Sequence, residues 1–299
     1  MSVQYDLHSH STASDGSLRP SELVRLAKLR HIDVLALTDH DNIDGIREAQ
    51  LEAGKVGLHL VAGAEISVSW GRSETIHIIG LNLDIDNPIL LKGLQRLCEF
   101  RQWRSEEIGR RLAKKHIEGA WEGARAFAKG NIIGRVHFAR FLVEQGHAKD
   151  MKQVFKRYLV QGKPGYVPGD WATLEDALDW IHRAGGQAVI AHPARYRLSA
   201  TRLRQLLGEF QELGGSALEV VSGSHSRDEI QHMAQLCCGC GLRASVGSDY
   251  HGPENPYMDM GKLPAMPTIC VPVWESPAWS SSREVQQAAS APDTLPLAL

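Results

Sequence analysis

Nine side chains of this 299-residue sequence have the types and spacing to hold metal ions. His8, His10 and Asp15 stand in "DLHSHSTASDG", His40 in "TDHD", Glu65 in "GAEIS" and His77 in "HIIG". His192 follows in "AHP", and Asp249 and His251 in "GSDYH". Imidazole nitrogens and carboxylate oxygens suit Zn²⁺, Mn²⁺ or Fe²⁺ without any soft thiolate. His8 and His10, two apart on an extended segment, share a face and can bind one ion together. A carboxylate can bridge two ions, and Glu65 is the candidate for that. Two cations about 3.5–4 Å apart lower the pKa of a shared water and clamp the oxygens of a phosphoryl group.

Such residues, scattered over some 240 positions, need elements that bring them together. "VQYDLH", "IDVLALTDHD", "LHLVAGAEIS" and "TIHIIGLNL" read as strands, and "PSELVRLAKLRH" and "IDGIREAQLEAGKVG" as helices between them. After residue 170 the rhythm returns, with "QAVIAHP", "ALEVVSGSHS" and "RASVGSDYH" as strands and helices between them. One of those helices, "TLEDALDWIHRAGG", has Thr173 as N-cap and Asp176 at its third position. Alternating strands and helices predict a largely parallel sheet or barrel. In a barrel the C-terminal strand ends converge on one mouth, where all nine groups would meet.

Residues 100–168 interrupt this rhythm with a mostly helical segment, read as an insertion into a barrel made of 1–99 and 169–274. It carries 15 Lys and Arg against 6 Asp and Glu, whereas the rest of the chain carries 18 against 29. A basic module on an acidic body suggests an anionic ligand. Residues 275–299, rich in Ser, Ala and Pro, read as a disordered tail. The composition, 43% hydrophobic and 23% charged, is that of a globular protein. No signal peptide or membrane-length apolar run is present, so a cytoplasmic location is expected, with no membrane association and no obligate protein partner. "CCGC" at 237–240 has no second cysteine pair to complete a zinc site and reads as a helix end.

Taken together, "DLHSHSTASDG", "LALTDHD", "GAEIS", "HIIG", "AHPARY" and "GSDYH" resemble the motifs of the polymerase and histidinol phosphatase (PHP) family of the amidohydrolase-like superfamily. The resemblance implies an α/β fold, a distorted (β/α)₇ TIM-like barrel with a two- or three-metal phosphoesterase site. "RVHFARFLVEQG", "VFKRYLVQGKPGYVP" and "SGSHS" extend it to the branch of 3′,5′-nucleoside bisphosphate phosphatases that also act as 5′→3′ exoribonucleases on short RNA, the RNase AM group. Similarity then runs over about residues 3–252.

The family motifs imply that His8, His10, Glu65 and Asp249 hold one metal, Glu65, His77 and His192 a second, and Asp15, His40 and His251 a third. Mn²⁺ is the expected ion, with Zn²⁺, Fe²⁺ and Mg²⁺ as alternatives. The expected reaction is in-line attack of a metal-activated hydroxide on the 3′ phosphorus, with Glu65 and Asp249 essential. His251, His225 or a metal-bound water would protonate the leaving oxygen. Arg135 and His137, at a helix start, are expected to bind the 5′ phosphate with Lys163, whose flanking glycines would let its backbone approach an anion. Arg195 is expected at the scissile phosphate, Trp70 with Arg72 against a base, and Ser222 and Ser224 along the pocket. Asp6, Asp39 and Asp41 are expected to orient ligand histidines. No G-x-S-x-G elbow surrounds the serines, which argues against a serine hydrolase. The alternatives are another phosphatase of the family, such as a histidinol phosphatase, and a non-enzymatic nucleic-acid-binding module. The basic insertion argues against the first and the number of ligands against the second.

Overall fold

A computed structural model describes residues 3–71, 74–253 and 258–279. Seven strands form one sheet in chain order: β1 (Tyr5–Asp6), β2 (Val34–Leu37), β3 (His59–Trp70), β4 (Glu74–Leu81), β5 (Gln187–Ile190), β6 (Ala217–Ser222) and β7 (Arg243–Gly247). The first and last strands meet through Leu7 N to Val246 O and His10 N to Tyr250 O, both 2.9 Å, so the sheet curls into a nearly closed barrel. The expectation of a largely parallel sheet needs one correction. β4 pairs antiparallel with both β3 and β5, so that β3 and β4 form a hairpin within an otherwise parallel sheet.

Helices cover the outside of the barrel. α1 (Pro20–Leu29) starts on the predicted proline and buries Leu23, Val24 and Ala27. α2 (Ile46–Val56) stops where Gly57 turns left-handed at φ 64°. Further along the chain come α3 (Pro88–Ala113), α4 (Ala120–Phe127), α5 (Arg135–Glu144) and α6 (Met151–Val154), the last running into a π turn at Phe155–Leu159. α7 (Leu174–Arg183) opens with the predicted reciprocal cap, in which Thr173 Oγ1 accepts from Asp176 N at 3.0 Å and Asp176 Oδ2 from Thr173 N at 3.3 Å. α8 (Ala200–Glu212) and α9 (Arg227–Gly239) complete the outer layer. Among the described residues no helix is long and apolar enough to cross a membrane.

Hydrophobic packing follows this architecture. Val34, Ala36, Val61, Ile79, Leu81, Val189 and Ala217 point inward and fill the barrel. The segment 108–167 has its own core, including Ile108, Leu112, Phe138, Leu142 and Leu159. The expected insertion boundary at residue 100 falls inside the continuous α3, whose first half packs on the barrel through Leu90, Leu94 and Leu97. The expected tail also begins too early. Trp279 and Val273 pack into the interior cluster, Ser276 Oγ donates to Gln187 Oε1 at 2.6 Å, and Trp274 stacks on Tyr5. Apolar aromatics at 274 and 279 supply a plug that the Ser/Ala/Pro composition of the segment concealed. Residues 280–299 lie outside the described residues.

Candidate metal centre

Strand periodicity carries the acidic and imidazole groups to the mouth. On β3, Val61 lines the interior, and two steps of period two along the same face reach Glu65. On β4, Leu81 and Ile79 lead by the same period to His77. His77 lies toward the start of its strand. The reversed direction of β4 brings that end to the mouth where the parallel strands finish.

The nine residues gather into four overlapping groups: His8, His10 and Asp249; His8, Glu65 and His192; His40, Glu65 and His77; and His10, Asp15, His40 and His251. His8 Nε2 and His10 Nε2 lie 3.1 Å apart. Each is 3.3–3.5 Å from both Glu65 Oε2 and Asp249 Oδ1. Nitrogen and oxygen donors this close together can share one cation, and His8, His10 and Asp249 form such a group. Glu65 Oε1 is 2.8 Å from His77 Nδ1 and 2.9 Å from His192 Nε2. Its other oxygen, Oε2, is 2.8 Å from His40 Nδ1, yet it is buried with no hydrogen-bond partner among the described residues. Close donors that miss hydrogen-bond geometry fit a shared cation between them. Asp15 Oδ1 is 3.3 Å from His251 Nε2, and Asp15 Oδ2 is 3.8 Å from His40 Nε2.

Protonation is set for metal at the carboxylates and at His10, whereas the facing carboxylates, working against burial, push His8, His40 and His251 up, so that an ion bound there displaces protons. Burial would raise the carboxyls of Glu65 and Asp249, but the surrounding imidazoles, His40, His77 and His8 for Glu65 and His8 and His251 for Asp249, hold both well below their usual range. Burial and the neighbouring His251 push His10 down to about 3, leaving it neutral. Ionised carboxylates and neutral imidazole are the forms that bind metal.

Glu219 was not anticipated from the sequence. It is fully buried, with Oε1 3.0 Å from His8 Nδ1 and Oε2 accepting from His192 N at 2.5 Å. Gly247 makes room for it, since a Cβ there would lie 2.2 Å from His8 Cβ and 2.6 Å from Glu219 Oε1. The signal was an acid in the middle of the apolar run "ALEVVS". The expected orienting role of Asp6, Asp39 and Asp41 needs correction. Asp6 accepts from Ser248 N, Asp39 from Ser11 and Ser14, and Asp41 from Ser67 N and Arg101, so they hold backbone and loops, not ligand rings.

The insertion lies over the β1–β3 side of the mouth. Asn131 N and Ile132 N donate to Thr12 O and Ser14 O at 3.1 Å, and Arg101 Nε reaches Asp41 Oδ2 at 2.6 Å. Arg135 opens α5 with its guanidinium over the Phe155 ring. Arg104, a second residue missed in the sequence, is pushed down to about 10 by burial and by the neighbouring Arg135 and Arg101. Neither Arg104 nor Arg135 meets a carboxylate among the described residues. His137 Nδ1 accepts from Gly134 N at 3.0 Å, which assigns the proton of the neutral ring to Nε2. Lys163 sits on an exposed turn, and its backbone N is already engaged by Val160 O.

Other expected contacts are placed differently. Trp70 does not offer a face to a base: it is 5% exposed, Arg202 covers its ring, and its Nε1 donates to Glu209. Arg72 lies outside the described residues. Arg195 Nη1 is bound to Asp249 Oδ2 at 2.7 Å. Ser222 Oγ and Ser224 Oγ pair at 3.2 Å, and His225 Nδ1 lies 3.1 Å from Val220 O. Cys270 joins the cysteines at 237–238. Burial pushes Cys237 up to about 12 and Cys270 up to about 11.

Known proteins resemble this chain in sequence and in structure. The sequence model of the PHP domain family matches residues 6–186. A Chromobacterium violaceum protein named 3′,5′-nucleoside bisphosphate phosphatase is 46% identical over 270 residues, covering 90% of this chain and 94% of its own. The 5′-3′ exoribonuclease Rnm of Escherichia coli is 46% identical over 288 residues, covering 95% of this chain and 98% of its own. A solved Chromobacterium violaceum amidohydrolase with bound sulfate has a TM-score of 0.84 at 44% identity, covering 95% of this chain and 96% of that one.

Proposed function

The chain belongs to the PHP domain family, and from that premise we propose that it is a metal-dependent phosphoesterase removing the 3′ phosphate of 3′,5′-nucleoside bisphosphates. We further propose that it acts as a 5′→3′ exoribonuclease on short 5′-phosphorylated RNA. The two activities reduce to one chemical event, cleavage of the P–O3′ bond of a nucleotide that carries a 5′ phosphate. The observation that carries the reading is the shared Glu65 carboxylate, with one oxygen facing His77 and His192 and the other facing His8, His10 and His40.

In this reading His8, His10, Glu65 and Asp249 hold one ion, Glu65, His77 and His192 a second, and Asp15, His40 and His251 a third, with Mn²⁺ as the expected metal. Bound there, divalent cations supply an acidified water and neutralise charge on the phosphoryl oxygens. The protein's own part is orientation and proton transfer. Arg104, Arg135 and His137 Nε2 form the docking site for the 5′ phosphate, which fixes the distance to the 3′ phosphorus and explains why a basic insertion (100–168) sits on the barrel. Arg195, anchored on Asp249, faces the scissile phosphate. His225 donates its Nδ1 proton to Val220 O, which leaves Nε2 of the neutral ring an acceptor, so the proton taken up by the leaving 3′ oxygen comes from His251 or from water. We assign the enzyme to the cytoplasm, where such substrates arise.

The test is direct. Protein loaded with Mn²⁺ is given adenosine 3′,5′-bisphosphate, a 5′-phosphorylated oligoribonucleotide and histidinol phosphate. Phosphate or mononucleotide release is expected from the first two. Asp249→Ala and Glu65→Ala are expected to lose at least about 10³-fold in kcat with the circular dichroism spectrum kept. Activity confined to histidinol phosphate overturns the substrate assignment, and full activity of either variant overturns the site.

A further inference from the structure

The turn after His192 presents an arginine to which the mechanism gives no role. Pro193–Tyr196 wind into a short 3-10 turn that is pinned from beneath. The Tyr196 hydroxyl donates to Ala191 O at 2.7 Å and accepts from His77 N at 2.9 Å, and its ring meets His192 edge-on. That anchor holds an exposed arginine on either side. Arg195 reaches Asp249, so the turn overhangs the cluster at the mouth. Arg197 follows at φ 53°, a left-handed conformation that residues with a Cβ adopt only at a cost. Its guanidinium has no hydrogen bond or ion pair among the described residues. An unpaired cation on an anchored, strained turn that overhangs the cluster is placed for a ligand.

Topology supplies the direction of that ligand. The insertion bonds to the loops after β1 and β2, through Thr12, Ser14 and Asp41, whereas this turn leaves β5. In a barrel ordered β1 to β7 these are opposite sides of the mouth. A nucleotide held by its 5′ phosphate against Arg104 and Arg135, with its 3′ phosphate at the centre, continues toward β5. Resting on the function given above, we propose that Arg197 binds the phosphate one nucleotide 3′ of the scissile phosphate. A 3′,5′-bisphosphate has no such group, so Arg197 serves RNA alone and separates the two substrate classes.

Three substrates resolve the question: adenosine 3′,5′-bisphosphate, the 5′-phosphorylated diadenylate and the 5′-phosphorylated triadenylate, of which only the last carries the extra phosphate. Arg197→Gly keeps the left-handed backbone without strain. It is expected to raise KM for the triadenylate about five- to tenfold, with kcat unchanged and both constants unchanged for the other two substrates. The slope of log(kcat/KM) against log salt for the triadenylate is expected to become shallower by about 0.7, one single-strand phosphate contact. Arg197→Lys is expected to recover part of the affinity. An unchanged triadenylate KM, or an equal loss on all three substrates, overturns the assignment while leaving the parent reading intact. Wild-type protein that cleaves the bisphosphate but neither oligonucleotide overturns the RNA reading and this one with it.

Discussion

His8 turns one ring nitrogen toward Asp249 and Glu65 and the other toward Glu219, 3.0 Å away. A buried carboxylate behind a ligand imidazole fixes its tautomer and raises its basicity, and such partners are worth about 10–100-fold in metal affinity. Glu219→Gln is therefore expected to weaken metal binding by that factor with the fold retained, read as metal per chain after dialysis against graded chelator. Wild-type retention would show that Glu219 only fills space. A second expectation concerns protons. Burial works against charge on His251, but the Asp15 and Asp249 carboxylates push it up to about 10. In metal-free protein at pH 7 that imidazole is protonated, and a ligand must be neutral, so binding at this group expels a proton. Affinity for the ion there is then expected to rise with pH, up to about tenfold per unit for each proton displaced. Calorimetric titrations in two buffers of different ionisation heat measure the release, and zero release at pH 7 contradicts it. At this scale the sequence was most legible where a polar residue ended an apolar strand. Glu219 and Arg104 were illegible because their meaning depends on what faces them, His8 in one case and Arg135 in the other.

Elements carry information that single residues do not. Strands β1–β3 and β5–β7 could be read from their apolar runs, but β4 reads the same in either direction, and only its pairing reveals the hairpin. The insertion was visible as a break in rhythm and charge, yet α3 passes through its expected boundary because helical periodicity does not mark which partner each turn packs on. What ties the insertion to the centre is backbone: Asn131 N and Ile132 N bond to the loop that carries Asp15. Gly130 permits this approach, since a Cβ there would stand 2.1 Å from Ser14 O and 2.8 Å from Thr12 O. Gly130→Ala must push the two loop segments apart, at a cost of about 1–3 kcal/mol. The expected consequence is local: Asp15 loses its position, and metal analysis shows one ion fewer per chain while those held through Glu65 stay. Unchanged metal content would mean that the loop positions Asp15 without help from the insertion.

The whole molecule divides its barrel between two tasks. The mouth gathers buried charge, which costs stability, and the opposite end repays it with apolar contact. Leu7, Val34, Val61, Leu81 and Ala217 form that interior, closed by Val273 and Trp279. Trp279 is 1% exposed and among the largest fully buried side chains of the protein. Barrel enzymes keep chemistry at the C-terminal face and stability at the other, so a change at the floor should act on folding alone. Removing a buried tryptophan side chain costs about 3–5 kcal/mol, and in a domain of this size each kcal/mol moves Tm by about 2–4 °C. Trp279→Ala is therefore expected to melt roughly 6–20 °C lower than the parent protein. Per folded molecule, KM and metal content should be unchanged at temperatures well below the transition, because the nine residues at the mouth are held by strand register and by Glu219, whereas the Trp279 segment meets the start of β5 through Ser276 and Gln187. A loss of bound metal in the cold, without a lowered Tm, would instead mean that the two ends of the barrel are coupled through its packed interior and that the floor takes part in shaping the site.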